Sequence, residues 1–420
     1  MSYQSKKSLY EPDQGVLDAL SPGTVLCSGQ YTIKSYINSG GFGVTYLALD
    51  SLNRQVVIKE CYPNAICCRS GQTVRLRSHN LETDFSDVVE QFQKEARALA
   101  RLQHPNIVGV HQIFEDNGTA YIALDLVPGM NLFDILVQHT KYLTPAVVQS
   151  ITRALLEALD YIHENGILHR DISPDNILID PTGSPVLIDF GASRQGVLPS
   201  AKILTRAYSV KDGYSPQEFY FEGMAQSQCS DLYALAATLV HLISETPPPN
   251  SSARLAAKTE DNADPYVPLK GRFPDYDAVF LDCIDRCMAL SAKDRIQAAR
   301  EWLNLISSKG AATKKPPAPD TALEKAIADV IQTNLMEFAE GKSKDRTGSE
   351  KRIEAAADAY AGHAAEDEYW AILKEDPPKA SRAIRKTQRP ASRRSPHPIR
   401  SFVSFLGRAL QRNGAPRSDH

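Results

Sequence analysis

From Val25 to about Ile122, apolar and polar positions alternate in short runs: YTIKSYI, GVTYLALD, QVVIKE, TVRLRS, IVGVHQIF and AYIALDLV. A period of two, rich in β-branched and aromatic residues and broken by Gly, Asn and Asp, predicts strands joined by turns. One stretch departs from it. Phe92, Ala96, Leu99 and Leu102 recur at helical spacing and predict a helix over about 92–102. After Pro128-Gly129 the period lengthens. Leu155, Leu159 and Ile162 share a helical face, and further helices are predicted near Ser230–Ile243, Ala278–Ala289 and Ile296–Ile306. The fold class is therefore α+β, with a small β-rich lobe over 24–124 followed by a larger helical lobe over 128–306.

The flanks read differently. Residues 1–23 form a polar lead-in, and the prolines and lysines of KGAATKKPPAP mark a linker over 307–320. Within 321–376, two helical stretches, Thr321–Glu340 and Ser349–Glu375, suggest a hairpin, with Leu323, Ile327, Ile331 and Leu335 as a buried stripe on the first. The tail, 377–420, is rich in Pro, Ser and Arg and is expected to be disordered. No repeat is visible.

Charge changes the picture only at that tail. The formal net charge is -3, yet the tail holds eleven Lys or Arg and one acidic residue. The remainder is acidic by a similar margin, which excludes nucleic acid as the expected partner. In Pro398–Asn413, Phe402, Phe405, Leu406, Ala409 and Leu410 fall on one helical face flanked by Arg400, Arg408 and Arg412. Such a helix suits peripheral contact with an anionic membrane or an acidic partner. No stretch approaches the roughly 18 apolar residues of a spanning helix, and Met1–Gly15 lacks the apolar core of a secretion signal. Seven cysteines in such a chain are expected to be reduced thiols, hence a cytoplasmic placement. Cys61, Cys67 and Cys68 cluster without the paired C-x-x-C or His ligands of a zinc site, and Cys283 and Cys287 read as core.

Three signals carry chemistry. Asn38-Ser39-Gly40-Gly41-Phe42-Gly43 lies between two strands, where glycines let a hairpin offer backbone N–H groups to phosphates. Lys59, in V-V-I-K, is placed by alternation on the inner face of a strand, where its ammonium needs an anion; Glu95 on the predicted helix is the candidate partner. The third is the most specific: His169-Arg170-Asp171-Ile172-Ser173-Pro174-Asp175-Asn176, then, after a turn, Val186-Leu187-Ile188-Asp189-Phe190-Gly191. Two short strands side by side would bring Asp171, Asn176 and Asp189 to one mouth. A carboxylate and an amide oxygen suit Mg²⁺, with phosphate and water completing its shell. A second carboxylate is then free to accept a hydroxyl proton.

From about Gly23 to Leu305 the chain resembles the eukaryotic-like (Hanks-type) serine/threonine protein kinases, especially the bacterial ones. The Gly-rich loop, V-x-I-K, helix glutamate, H-R-D-x-x-x-x-N and D-F-G elements follow in order. Ser215-Pro216-Gln217-Glu218, Asp231 and Arg295 match further elements. The resemblance implies a two-lobed fold with a hinge at 125–127 and an ATP site formed by Ile37, Asn38, Ser39, Gly40, Gly41, Phe42, Gly43, Thr45, Val57, Lys59, Leu124, Asp125 and Val127. Within it, the loop backbone covers the phosphates, Asp125 to Val127 bind the adenine edge and Leu124 guards the rear pocket. It also implies that Lys59 holds the α- and β-phosphates and pairs with Glu95, that Asp189 and Asn176 bind Mg²⁺ (or Mn²⁺), that Asp171 deprotonates the acceptor, and that Glu218 pairs with Arg295.

Four departures stand out. Asn38 replaces the first loop glycine, and Thr45 stands where the family has valine. Ser173 occupies the place of the catalytic-loop lysine, and Lys211 that of the threonine before the Gly-Tyr of the activation segment. Those two family residues meet at the catalytic aspartate, so Ser173 and Lys211 are expected to exchange their jobs. Arg170 is expected to receive a phosphate on the activation segment, with Thr205 and Ser209 better placed than Ser200 and Tyr208. Between Lys59 and Glu95 the connection is longer than a strand-to-helix link needs, with TVRLRS as an extra strand.

The resulting expectation is a signalling kinase that transfers the γ-phosphate of Mg-ATP to Ser/Thr hydroxyls of protein substrates and of itself. The alternative, from another class, is a pseudokinase-type ATP-binding scaffold, resting on Ser173. Pro174 argues against tyrosine as acceptor, and the segment ending at Glu218 argues against a small-molecule acceptor.

Overall fold

The computed structural model describes residues 18–190, 210–221 and 223–307. The linker, hairpin and tail expected beyond 307, and the candidate phosphosites Thr205 and Ser209, lie outside the described residues.

The first lobe runs β1 (Val25–Leu26), β2 (Tyr31–Ser39), β3 (Gly43–Asp50), β4 (Gln55–Cys61), β5 (Cys67–Ser70), β6 (Thr73–Leu76), α1 (Glu82–Leu99), β7 (Val110–Asp116) and β8 (Thr119–Asp125). Six strands make one antiparallel sheet in the order β1-β2-β3-β4-β8-β7. Alternation sets its two faces. Ile33, Val44, Tyr46, Ala48, Val56 and Ile58 are buried on one side. Thr45, Lys59 and Ile122 are in register across β3, β4 and β8 and share the other. Against Ile122 and Leu124 packs the apolar stripe of α1, Val88, Phe92 and Ala96.

That helix begins ten residues before the expected one. Its first turns carry Glu82 and Asp84, favourable at a helix N-terminus but hiding the apolar period. The helix stops at Leu99, so Leu102 is buried beyond its end.

Residues between β4 and α1 form the separate hairpin β5–β6, which includes the strand read from TVRLRS. Arg69 of the hairpin pairs with Glu60 of β4 at 2.5 Å. Glu60 is fully buried and also accepts from the Tyr46 (2.8 Å) and Tyr121 (2.7 Å) hydroxyls. Arg69 Nε donates to the Asp18 carbonyl, and the Val74 N–H donates to the Asn117 carbonyl at 2.8 Å. The insert is thereby pinned to the sheet by a buried charge pair whose lone pairs are satisfied.

The second lobe holds β9 (Met130–Asn131), α2 (Leu132–His139), α3 (Pro145–Glu164), β10 (Ile177–Ile179), β11 (Pro185–Leu187), α4 (Gln228–Ser244), α5 (Ser251–Thr259), α6 (Ala278–Cys287) and α7 (Ala299–Ser307). Helices α2 and α5 were not anticipated by the pattern; Asn131 and Asn250 cap them, each accepting from a backbone N–H three residues on. Helix α4 is buried from Cys229 to Ile243, consistent with apolar residues all round, and forms the lobe's centre. Strands β9 and β11 flank β10, and this small sheet carries the loop 169–176 at one end.

Candidate active site

The loop 169–176 is held by its neighbours. Asp231, near the start of α4, accepts from the backbone N–H of His169 (2.9 Å) and Arg170 (2.8 Å), and lies 2.9 Å from His163 Nε2. Burial would raise the Asp231 carboxyl, but His163, His169 and these donors hold it below the ordinary aspartate value. It stays an anion that braces the strained turn at Arg170, whose φ is 64°. Asn176 Nδ2 donates to the Asp171 carbonyl (2.8 Å) and to Asp171 Oδ2 (2.7 Å). The Ile188 N–H donates to the Asn176 carbonyl at 3.0 Å, bringing the 186–190 run alongside. The His169 and Phe190 rings meet at 4.4 Å. Asp171, Asn176 and Asp189 thus come to one mouth.

Lys59 Nζ donates to Asp189 Oδ1 at 2.8 Å. Burial alone would raise the Asp189 carboxyl; the charge and hydrogen bond of Lys59 hold it below the ordinary range. The expected pairing of Lys59 with Glu95 does not form among the described residues. Glu95 instead accepts from Gln91 one turn earlier on α1. Burial pushes its carboxyl up to about 7, against the pull of Gln91, Arg170 and Lys59. A carboxyl so readily neutralised is a weaker anchor for an ammonium than the ionised Asp189.

The Gly-rich loop closes between Asn38↔Thr45 and Ser39↔Val44, with the Gly40 N–H donating to the Gly43 carbonyl at 2.9 Å. A Cβ on Gly43 would stand 2.6 Å from the Glu60 carbonyl, so this glycine is required by close approach to β4. The Phe42 carbonyl accepts from Tyr62 at 2.9 Å, tying the loop tip to the chain just after β4. Ile37, Thr45, Val57 and Val127 are half-buried, Ser39, Gly41 and Phe42 likewise, Asn38 and Gly40 exposed, and Leu124 buried at the end of β8. Asp125 continues from Leu124, its carboxylate turned to His111 Nε2 at 2.9 Å.

On the other side of Asp171 lies Lys211. Its Nζ is 2.7 Å from Ser173 Oγ, 2.8 Å from Asp175 Oδ2 and 3.5 Å from Asp171 Oδ1. Burial would raise the Asp175 carboxyl, and Lys211 holds it below the ordinary range. Asp175 and Gln91 are the neighbours that sequence reasoning missed. Each sits at a revealing offset, two residues after Ser173 and four before Glu95. Farther from the mouth, Glu218 and Arg295 make a two-pronged buried pair at 2.6 and 3.1 Å. Ser230 Oγ donates to the same Glu218 carboxylate at 2.7 Å.

A family model described as protein kinase domain matches residues 31–304. Among curated proteins, the serine/threonine-protein kinase PknA of Nostoc sp. is 31% identical over 310 residues, covering 70% of this chain and 50% of that protein. PknB of Mycobacterium tuberculosis, also a serine/threonine-protein kinase, is 29% identical over 328 residues, 75% of this chain and 47% of that one. The chain therefore spans about half the length of these curated relatives. A solved structure described as "PpkA-294 apo form" aligns with a TM-score of 0.61 and 34% identity, covering 69% of this chain and 99% of that one.

Proposed function

Because the chain belongs to the protein kinase family, we propose that it transfers the γ-phosphate of ATP to serine and threonine hydroxyls of proteins, itself included. The observation that carries this reading is the convergence of Lys59, Asp189, Asn176 and Asp171 at one mouth.

The donor set fits a hard divalent cation. Asn176 spends its Nδ2 on Asp171, which leaves its amide oxygen as the end available to a metal, and Asp189 supplies carboxylate oxygens. Among the described residues no three His, Cys, Asp or Glu gather as a metal cage, so phosphate oxygens and water would complete the shell. Mg²⁺ or Mn²⁺ held there would neutralise charge on the β- and γ-phosphates.

The chain's own groups then have distinct tasks. Lys59 meets the phosphates from the sheet side, and the backbone of Gly40 to Gly43 covers them. Leu124 to Val127, with Ile37, Thr45 and Val57, enclose the adenine. Asp171 receives the acceptor proton as the hydroxyl oxygen bonds the γ-phosphorus and the bond from that phosphorus to the β–γ bridging oxygen breaks, its electron pair leaving on ADP.

The test is transfer of labelled phosphate from ATP with Mg²⁺ or Mn²⁺, followed by phosphosite mapping, which also reports on Thr205 and Ser209. Label on serine and threonine supports the reading; nucleotide binding without any label would point to a scaffold. For the basic tail we keep the proposal of peripheral contact with anionic lipid, which flotation of the full chain with anionic vesicles at low salt would test.

A further inference from the structure

We infer that Lys211 is a second catalytic cation, delivered to the transferred phosphoryl group from the segment before Glu218 and seated by Ser173 and Asp175. This rests on the kinase reading above and specifies how the charge of the reaction is met.

Three oxygens of one loop surround one ammonium: Ser173 Oγ, Asp175 Oδ2 and Asp171 Oδ1. The Asp175 contact alone would be an ordinary surface pair, since that carboxylate is 52% exposed. The other two contacts differ. Ser173 is fully buried and its hydroxyl accepts from Lys211, while the Asp171 side chain is only 7% exposed. An ammonium has three N–H donors. Two are used at hydrogen-bond distance, and the third faces Asp171 at 3.5 Å, too far to be a good bond. That proton is the one free to turn toward a phosphoryl oxygen.

The electrostatics point the same way. Lys59 is committed to Asp189, and Lys211 stands on Asp171, so each carboxylate of the mouth carries its own cation. As the bond to the bridging oxygen breaks, charge spreads over the γ-phosphoryl oxygens, and an oriented cation there lowers the barrier. Lys211 keeps its proton throughout, and the acceptor's proton still goes to Asp171.

The seat of Lys211 is built from the helical lobe. Its N–H donates to Ser215 Oγ at 2.9 Å, and its carbonyl accepts from Tyr214 (3.0 Å) and Ser215 (2.9 Å). Gly213 has φ +82° and lies against the Pro248 carbonyl, where a Cβ would stand at 2.8 Å. Ser251 Oγ donates to the Ser215 carbonyl at 2.9 Å. The cation and the segment that leads to Glu218 are therefore held as one piece on the helical lobe.

The test uses the full chain with dephosphorylated casein as acceptor. Lys211→Met should lower kcat by about 10²-fold or more, with KM for ATP and calorimetric affinity for Mg-ADP within about threefold of wild type. A second readout needs no turnover. Wild type should bind Mg-ADP more tightly with aluminium fluoride, a mimic of the transferred group, and Lys211→Met should lose that gain. The reciprocal exchange, Ser173→Lys with Lys211→Ser, should recover kcat to within about tenfold of wild type, which a merely structural lysine would not allow. Unchanged kcat and an undiminished aluminium fluoride effect in Lys211→Met would overturn the inference while leaving the kinase reading intact, as would an exchange no better than Lys211→Met. No transfer by wild type would overturn the kinase reading and this inference with it.

Discussion

Lys59 on β4 and Asp189 on the run after β11 hold each other at 2.8 Å across 130 positions of sequence. The pair joins the sheet lobe to the helical lobe at the point where phosphates are proposed to lie. Both side chains keep about a quarter to a third of their surface open, so the pair contributes little to stability. Asp189→Asn is therefore expected to leave the melting temperature nearly unchanged while cutting phosphate transfer about 10³-fold. Labelled-ATP assays beside thermal unfolding check this, and a large loss of stability would reassign Asp189 to a structural role.

Glu95 sets a pH dependence. Its folded pKa, about 7, is raised by burial above the ordinary glutamate value, so the folded state favours the neutral acid. Its contribution to stability is present in full below the unfolded pKa and is lost as pH rises through about 7. Glu95→Gln removes the titration. The variant should gain melting temperature over wild type progressively between pH 4.5 and 7, reaching roughly 5 °C. Melting curves that stay parallel across that range would show that Glu95 does not titrate there.

The insert hangs on Arg69. Arg69→Ala leaves Glu60 fully buried with only phenols as partners and should cost about 3–5 kcal/mol. Hydrogen exchange should quicken first in β5–β6, the hairpin that Arg69 pins. Loss confined to the helical lobe would contradict this placement.

Glu218 and Arg295 form the corresponding pair below the mouth, both nearly fully buried. Arg295→Met strands the carboxylate and should lower the melting temperature on the order of 10 °C. Adding Glu218→Gln should restore part of it, because a buried amide costs less than an unpaired charge. A double variant less stable than the single one would argue that Glu218 has another partner of equal weight.

Residues whose chemistry dictates their type were legible from the sequence. His169 to Asn176 and Ile188 to Phe190 could be read as one mouth because their carboxylates and amide are types that proton acceptance and cation binding would need, and the structure brings them together. Ser173 and Lys211 showed themselves as paired departures, and they stand 2.7 Å apart. The scaffold alternative rested on Ser173, and the hydroxyl of that residue has a lysine ammonium beside it. What was not legible depends on how elements slide past one another. Spacing alone does not say whether Lys59 reaches Glu95 or Asp189, because the seating of α1 on the sheet decides it. The start of α1 was hidden by acidic residues that suit a helix N-terminus. The ten-residue misplacement followed from reading only its apolar second half. Arg69 could not be matched to Glu60 because the insert follows no pattern that fixes its register on the sheet.

The most direct measurement is phosphate incorporation from labelled ATP with Mg²⁺, comparing the full wild-type chain with Asp171→Asn. The expected result is label on serine and threonine in wild type and a loss of at least about 10³-fold in the variant, with nucleotide affinity preserved. Equal incorporation by the two proteins would contradict it, because Asp171 would then not be where the acceptor gives up its proton.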